Sequence, residues 1–125
     1  MLPESLPVFL LRLLVSPALP GALFLLLGSL VSRHPPKKLN IYYGYRTRRS
    51  MLNQDTWTEG NQYSAALIIR LAKPCVLLGI ACSLLIPLPV LLFVSAGAVL
   101  AIVSLVLILT EKRLGMLFDR DGNRR

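Results

Sequence analysis

Residues 75–110 read CVLLGIACSLLIPLPVLLFVSAGAVLAIVSLVLILT, a stretch without one charged side chain, and its reading decides the fold. A helix needs roughly 20 apolar residues to cross the hydrocarbon of a bilayer, so this block is too long for one crossing. Pro87 and Pro89, in Ile86-Pro87-Leu88-Pro89, supply a place for the chain to reverse. The block is therefore expected to be a helical hairpin. Only about a dozen residues separate Cys75 from the turn, so the first arm must begin earlier, near 64, and carry Arg70 and Lys73 in its opening turns. It then spans about 64–86, and the second arm about 90–109.

A second apolar block lies between Arg12 and Arg33 and predicts another crossing over about 13–31, with Pro17 and Pro20 in its outer turns. Met1 to Phe9 carries Glu4 and no basic residue, and the block that follows is too long for a signal-peptide core, so it reads as a retained helix. The whole chain of 125 residues is 54% apolar, with a mean hydropathy of +0.62. These values and the block pattern place it among integral membrane proteins, as a single all-α membrane domain.

The net charge of +8 lies outside the apolar blocks. Arg33, Lys37, Lys38, Arg46, Arg48 and Arg49 fall in the segment of about 32–63, and Lys112, Arg113, Arg120, Arg124 and Arg125 in a basic tail of 110–125. Short segments rich in Lys and Arg stay in the cytoplasm. Three crossings put both segments on that side, whereas two or four would destroy the asymmetry. The expected arrangement is thus three transmembrane helices, N-terminus outside, with a structured cytoplasmic loop and a cytoplasmic C-terminus. Charge placed this way suits anionic lipid headgroups, not direct nucleic-acid binding.

Packing between the helices is expected from small residues, which let backbones approach in lipid. Cys75, Gly79 and Ser83 form such a stripe, Gly97 with Ala101 a second, and Ala18 with Ala22 a third. They predict contacts within one chain, with an oligomer as the alternative use. Cys75 and Cys82, seven positions apart, read as small packing residues that cannot bond to each other along one helix.

The loop holds the lone Trp and all four Tyr of the chain: Tyr42, Tyr43, Tyr45, Trp57 and Tyr63. Interleaved with basic residues, they predict a segment folded against the membrane interface. Gly44 between two tyrosines marks a turn or a close backbone approach. Asn53 is expected to cap a helix that runs through Trp57 and Asn61 into the second crossing. Arg46 needs a carboxylate, phosphate or carbonyl partner in a half-dry site, and Asp55 and Glu59, one turn apart, are the acidic candidates within the loop. Arg70 and Lys73 are expected to snorkel to an anionic-lipid interface, with Arg12 as their counterpart on the other side.

Pro36, Asn40, Tyr43-Gly44-Tyr45-Arg46-Thr47, Arg49-Ser50, Asn53, Trp57 and Asn61 together resemble the signature of the SdpI family, bacterial membrane proteins of toxin immunity and signalling. Gly60 stands where that pattern leads one to expect alanine. The resemblance covers about a quarter of the chain and suggests the short, single-unit form. It implies a membrane protein that binds or responds to an antimicrobial toxin peptide, with no cofactor and with a cytoplasmic regulator as a further partner. Asn40, Tyr43, Gly44, Tyr45, Arg46, Thr47, Arg49, Trp57 and Asn61 are its candidate binding or structural residues.

Two other readings rest on the residues alone. A membrane hydrolase acting on lipid or peptide would use Asp55 and Glu59 as acid and base or as metal ligands, but the one histidine, His34, adjoins Pro35-Pro36, and no HExxH or nucleophile motif accompanies them. A transporter or channel subunit would want ionisable groups in mid-membrane, which the first and third expected helices lack.

Overall fold

The computed structural model describes residues 5–125; Glu4, which enters the reading of the N-terminus, lies outside them. The described chain is helical: α1 (Leu6–Val15), α2 (Ala18–Arg33), α3 (Gln54–Leu85) and α4 (Leu88–Leu117). α3 and α4 are each long and apolar enough to cross a membrane, and α1 with α2 form a bent pair that passes the same test if counted as one span.

That bent pair corrects the expectation of one helix over about 13–31. The chain breaks at Ser16–Pro17, and the two helices meet at 59°. Pro17 has no N–H to give and its ring crowds the preceding turn. Ser16 repairs the exposed ends: its hydroxyl donates to the Leu13 carbonyl at 2.7 Å and accepts from the Ala18 N–H at 3.2 Å. The break is completely buried against α3. Gly79 makes this fit, because a methyl group there would run into the backbone of Pro17 and Ala18. Further along, Gly21 lies on Cys75 and Val76, and Gly28 on Ala65, Ile68 and Ile69, so α2 runs antiparallel to α3 with backbones in near contact.

Two of the expected small-residue stripes are thereby redistributed. Cys75, Gly79 and Ser83 are buried as a contact face, with Cys75 Sγ donating to the Pro17 carbonyl at 3.4 Å. On the first block the contact face is Ala18, Gly21 and Gly28, while Ala22 points away. Gly97 has nothing within 4 Å of where a Cβ would stand, and Ala101 is exposed; α4 packs instead through Leu91, Ile102, Val106, Thr110 and Leu114.

α3 and α4 reverse through Ile86–Pro87, as the two prolines predict. Arg12 reaches from α1 to this turn, donating to the Ser83 carbonyl at 2.7 Å and to the Ile86 carbonyl. Instead of serving as an outward interface cation, it satisfies carbonyls that the end of α3 leaves unpaired, where the helix dipole favours positive charge. A cluster of Leu67, Cys75, Ile102 and Val106 forms the core between α3 and α4, flanked by Phe24, Tyr63 and Ile68. The outer faces are aliphatic: Leu23, Leu26, Leu77, Phe93, Leu100 and Ile108 are all exposed, a belt that lipid would cover and water would not.

At about 1.5 Å per residue, α3 and α4 outrun the roughly 30 Å hydrocarbon layer. The surplus of each lies at the end that carries the loop, and it is this surplus on which the loop is built.

Candidate functional site

The site begins with a helix cap. Asn53 Oδ1 accepts the Thr56 N–H at 2.9 Å, and Thr56 Oγ1 accepts the Asn53 N–H at 3.0 Å, a reciprocal box that starts α3. Thr56 also donates to the Ser50 carbonyl at 3.1 Å. Because α3 starts at Gln54 and runs unbroken through Gly60, Trp57 and Asn61 sit in fixed register one helical turn apart.

Trp57 is fully buried, and its Nε1–H donates to the Pro36 carbonyl at 2.5 Å. Asn61 takes hold of Tyr45 from both sides: Oδ1 accepts the Tyr45 N–H at 2.6 Å, and Nδ2 donates to the Tyr45 carbonyl at 3.3 Å and the Trp57 carbonyl at 2.9 Å. This explains Gly44. Its φ is +110°, and a Cβ there would strike the Asn61 amide and the Pro36 ring. Gly60 has a similar use, facing Ser50, Tyr45 and Leu114 at 3.2–3.5 Å from where a Cβ would stand.

The rest of the loop is tied down by short polar bridges. Ser50 Oγ accepts the Thr47 N–H at 2.8 Å and donates toward the Tyr45 carbonyl at 3.0 Å. Asn40 Oδ1 accepts the N–H groups of Tyr42 and Tyr43 at 2.9 and 2.7 Å, and the Tyr43 hydroxyl donates to the His34 carbonyl at 2.8 Å. Between the loop and α2 and α3 lies a cleft of about 190 Å³, lined by Leu27, Val31, Tyr43, Gly44, Tyr45 and Ile68 among others.

α4 closes the assembly through one carboxylate that the loop-centred sequence reading missed. Glu111 accepts the Tyr45 hydroxyl at 2.8 Å and lies 3.7 Å from Arg49. Burial, then the hydrogen bond to Glu111 and its negative charge, push the Tyr45 phenol above its ordinary pKa. The available signal was an isolated acid beside Lys112 and Arg113 at the foot of an apolar helix.

The expected partnership of Arg46 with Asp55 or Glu59 does not form. Arg46 donates to the Ile41 carbonyl within its own loop. Glu59 instead accepts Arg113 Nε at 2.9 Å, and the guanidinium also lies 5.2 Å from the Tyr63 ring centroid. Asp55 is exposed in the first turn of α3, where a negative charge suits the helix dipole. The two carboxylates therefore have separate environments. Arg70 and Lys73 are exposed on the outer face of α3.

The tail is folded as well as basic. Phe118 is buried, pairs with Arg124 across a short bridge, and lies beneath the Arg124 guanidinium at 4.9 Å. Asp119 accepts the N–H groups of Asp121 and Asn123, each at 2.9 Å; the Asn123 amide first, with Asp121 and the nearby Arg125, holds its carboxyl below the usual carboxylate range. Asn53 Nδ2 donates to the Gly122 carbonyl at 2.6 Å, so one residue caps α3 and anchors the tail.

Residues 37–110 match the family model described as the SdpI/YfhL protein family. The chain is 39% identical over 109 residues to the "Uncharacterized protein YfhL" of Bacillus subtilis (strain 168), covering 84% of this chain and 91% of that relative. No solved structure matches it. On the family match and the length of this similarity, the chain belongs to the SdpI/YfhL family.

Proposed function

We propose that this chain is a bacterial immunity or signalling protein that binds or responds to a membrane-active toxin peptide, in a three-span arrangement with the loop and tail cytoplasmic. The observation that carries the reading is the cleft beneath the signature loop: Tyr43, Gly44 and Tyr45 form one wall, and Leu27, Val31 and Ile68 of the membrane helices form another. An apolar side chain of a peptide lying at the membrane surface suits a cleft of this composition. The bend at Ser16–Pro17 lets α1 and α2 serve together as the first span. The concentration of Lys and Arg at the loop end favours the cytoplasm for that end, and leaves Arg70 and Lys73 within reach of anionic headgroups. The basic cap offers a docking face for a cytoplasmic regulator.

The hydrolase alternative is weakened by the engagement of Glu59 with Arg113. The test of the leading reading is survival of sensitive cells challenged with a membrane-active toxin peptide, comparing the parent with Tyr43→Ala, Leu27→Ala and Arg46→Ala at matched membrane levels. Protection by the parent that is lost with Tyr43→Ala and Leu27→Ala is the expected result. Equal protection by all four would remove the cleft from the mechanism, and none by the parent would remove that toxin as its target.

A further inference from the structure

We propose that Arg48, Arg49 and Arg120 form a phosphate-binding site on the end of the protein that carries the loop and tail, separate from the cleft and independent of the toxin reading. The three arginines line a cavity of about 380 Å³ together with Leu52 and Asp119, and the Arg49 guanidinium rests on Gly115 of α4. They come from two segments far apart in sequence and meet because Asn53 fastens the tail to the cap of α3.

The charges in this cavity are unbalanced. Glu111 lies at 3.7 Å from Arg49 but leaves that side chain about half exposed, at 47%. Among the described residues Arg48 and Arg120 have no ion-pair and no side-chain hydrogen-bond partner, and both are exposed. Asp119 brings the lone negative charge to the lining, and its Oδ1 is already occupied by the backbone N–H groups of Asp121 and Asn123. Guanidinium groups present planar forks of donors that match phosphate oxygens in pairs, and three around one cavity favour a doubly charged anion over a single carboxylate.

Depth argues for the source of the phosphate. If the hydrocarbon ends near Leu109, the helical residues 110–117 carry the chain about 12 Å further at 1.5 Å per residue, whereas the headgroup layer is only about 5–8 Å thick. The cavity then opens beyond the headgroups, within reach of a soluble phosphate or diphosphate. A lipid headgroup shares the chemistry and is separated by experiment.

The full chain would be placed in nanodiscs of zwitterionic lipid and titrated with inorganic pyrophosphate by calorimetry at low salt. Retention of phosphatidylglycerol would be measured in parallel by native mass spectrometry. Arg48→Gln, Arg120→Gln and the charge-matched control Lys38→Gln would be compared with the parent, their helix content checked by circular dichroism. Saturable pyrophosphate binding, weakened roughly tenfold in Arg48→Gln and Arg120→Gln but not in Lys38→Gln, is expected and identifies a soluble ligand. Selective loss of phosphatidylglycerol in the same two variants, without pyrophosphate binding, supports the site with lipid as the source. No binding of either, or binding weakened equally by all three substitutions, overturns the proposal.

Discussion

The Asn61 side chain replaces a neighbouring strand for the backbone of Tyr45, accepting its N–H at 2.6 Å and donating to its carbonyl at 3.3 Å. A helix surface thereby satisfies both backbone groups of a loop residue and fixes it beside Glu111.

Asn61→Ala is expected to destabilise the folded loop by about 1–3 kcal/mol, since the Tyr45 N–H loses its acceptor in a half-buried setting and the Tyr45 carbonyl keeps only the Ser50 hydroxyl. Asn61→Asp keeps the acceptor but faces the Tyr45 and Trp57 carbonyls with negative charge, and should not restore the loss. Trypsin sensitivity at Arg46, Arg48 and Arg49 is the measurement: faster cleavage than the parent in both variants is expected.

Trp57 is the single tryptophan, so its fluorescence reports directly on the site. Its emission should be blue-shifted and resist acrylamide quenching, and Gly44→Ala should raise the quenching because a methyl group would meet Asn61 and Pro36. Trp57→Phe keeps most of the ring burial but orphans the Pro36 carbonyl, at a cost of about 1–2 kcal/mol. Trp57→Ala should cost about 3–5 kcal/mol.

Alkaline stability should depend on Tyr45. Its folded pKa is raised by burial and by Glu111, while an unfolded chain releases the same proton near pH 10. The stabilisation is therefore whole below about pH 10 and is lost as pH rises toward the folded value. Thermal unfolding followed between about pH 9 and 11 should show the parent falling more steeply with pH than Tyr45→Phe.

Two glycine substitutions separate buried from open helix faces. Gly79→Ala drives a methyl group into the Pro17–Ala18 backbone and should destabilise by about 3 kcal/mol or more, since backbone cannot give way as a flexible side chain can. Gly97→Ala meets nothing and should be neutral or stabilising by up to about 1 kcal/mol. Melting temperatures in the same detergent test the pair, and equal effects would contradict the helix packing described above.

Residue type and order alone determined the apolar helices, the reversal at Pro87–Pro89, the cap at Asn53 and the unusual loop, because each depends on local physics: hydrocarbon length, a missing proline N–H, and a side chain reaching its own helix start. Signature residues such as Gly44, Trp57 and Asn61 could be picked out by their resemblance to a family pattern, although their individual uses could not. The tertiary structure decided which groups meet. Glu111 lies far from Tyr45 in sequence, yet packing of α4 on α3 brings the two together, and Arg113 reaches Glu59 by the same packing, so Arg46 finds a carbonyl instead of a carboxylate. Arg12 turns inward because the end of α3 arrives beside it. The bend at Ser16–Pro17 shows both levels: proline permits a break locally, but its burial depends on Gly79, a residue with no side chain to announce its partner.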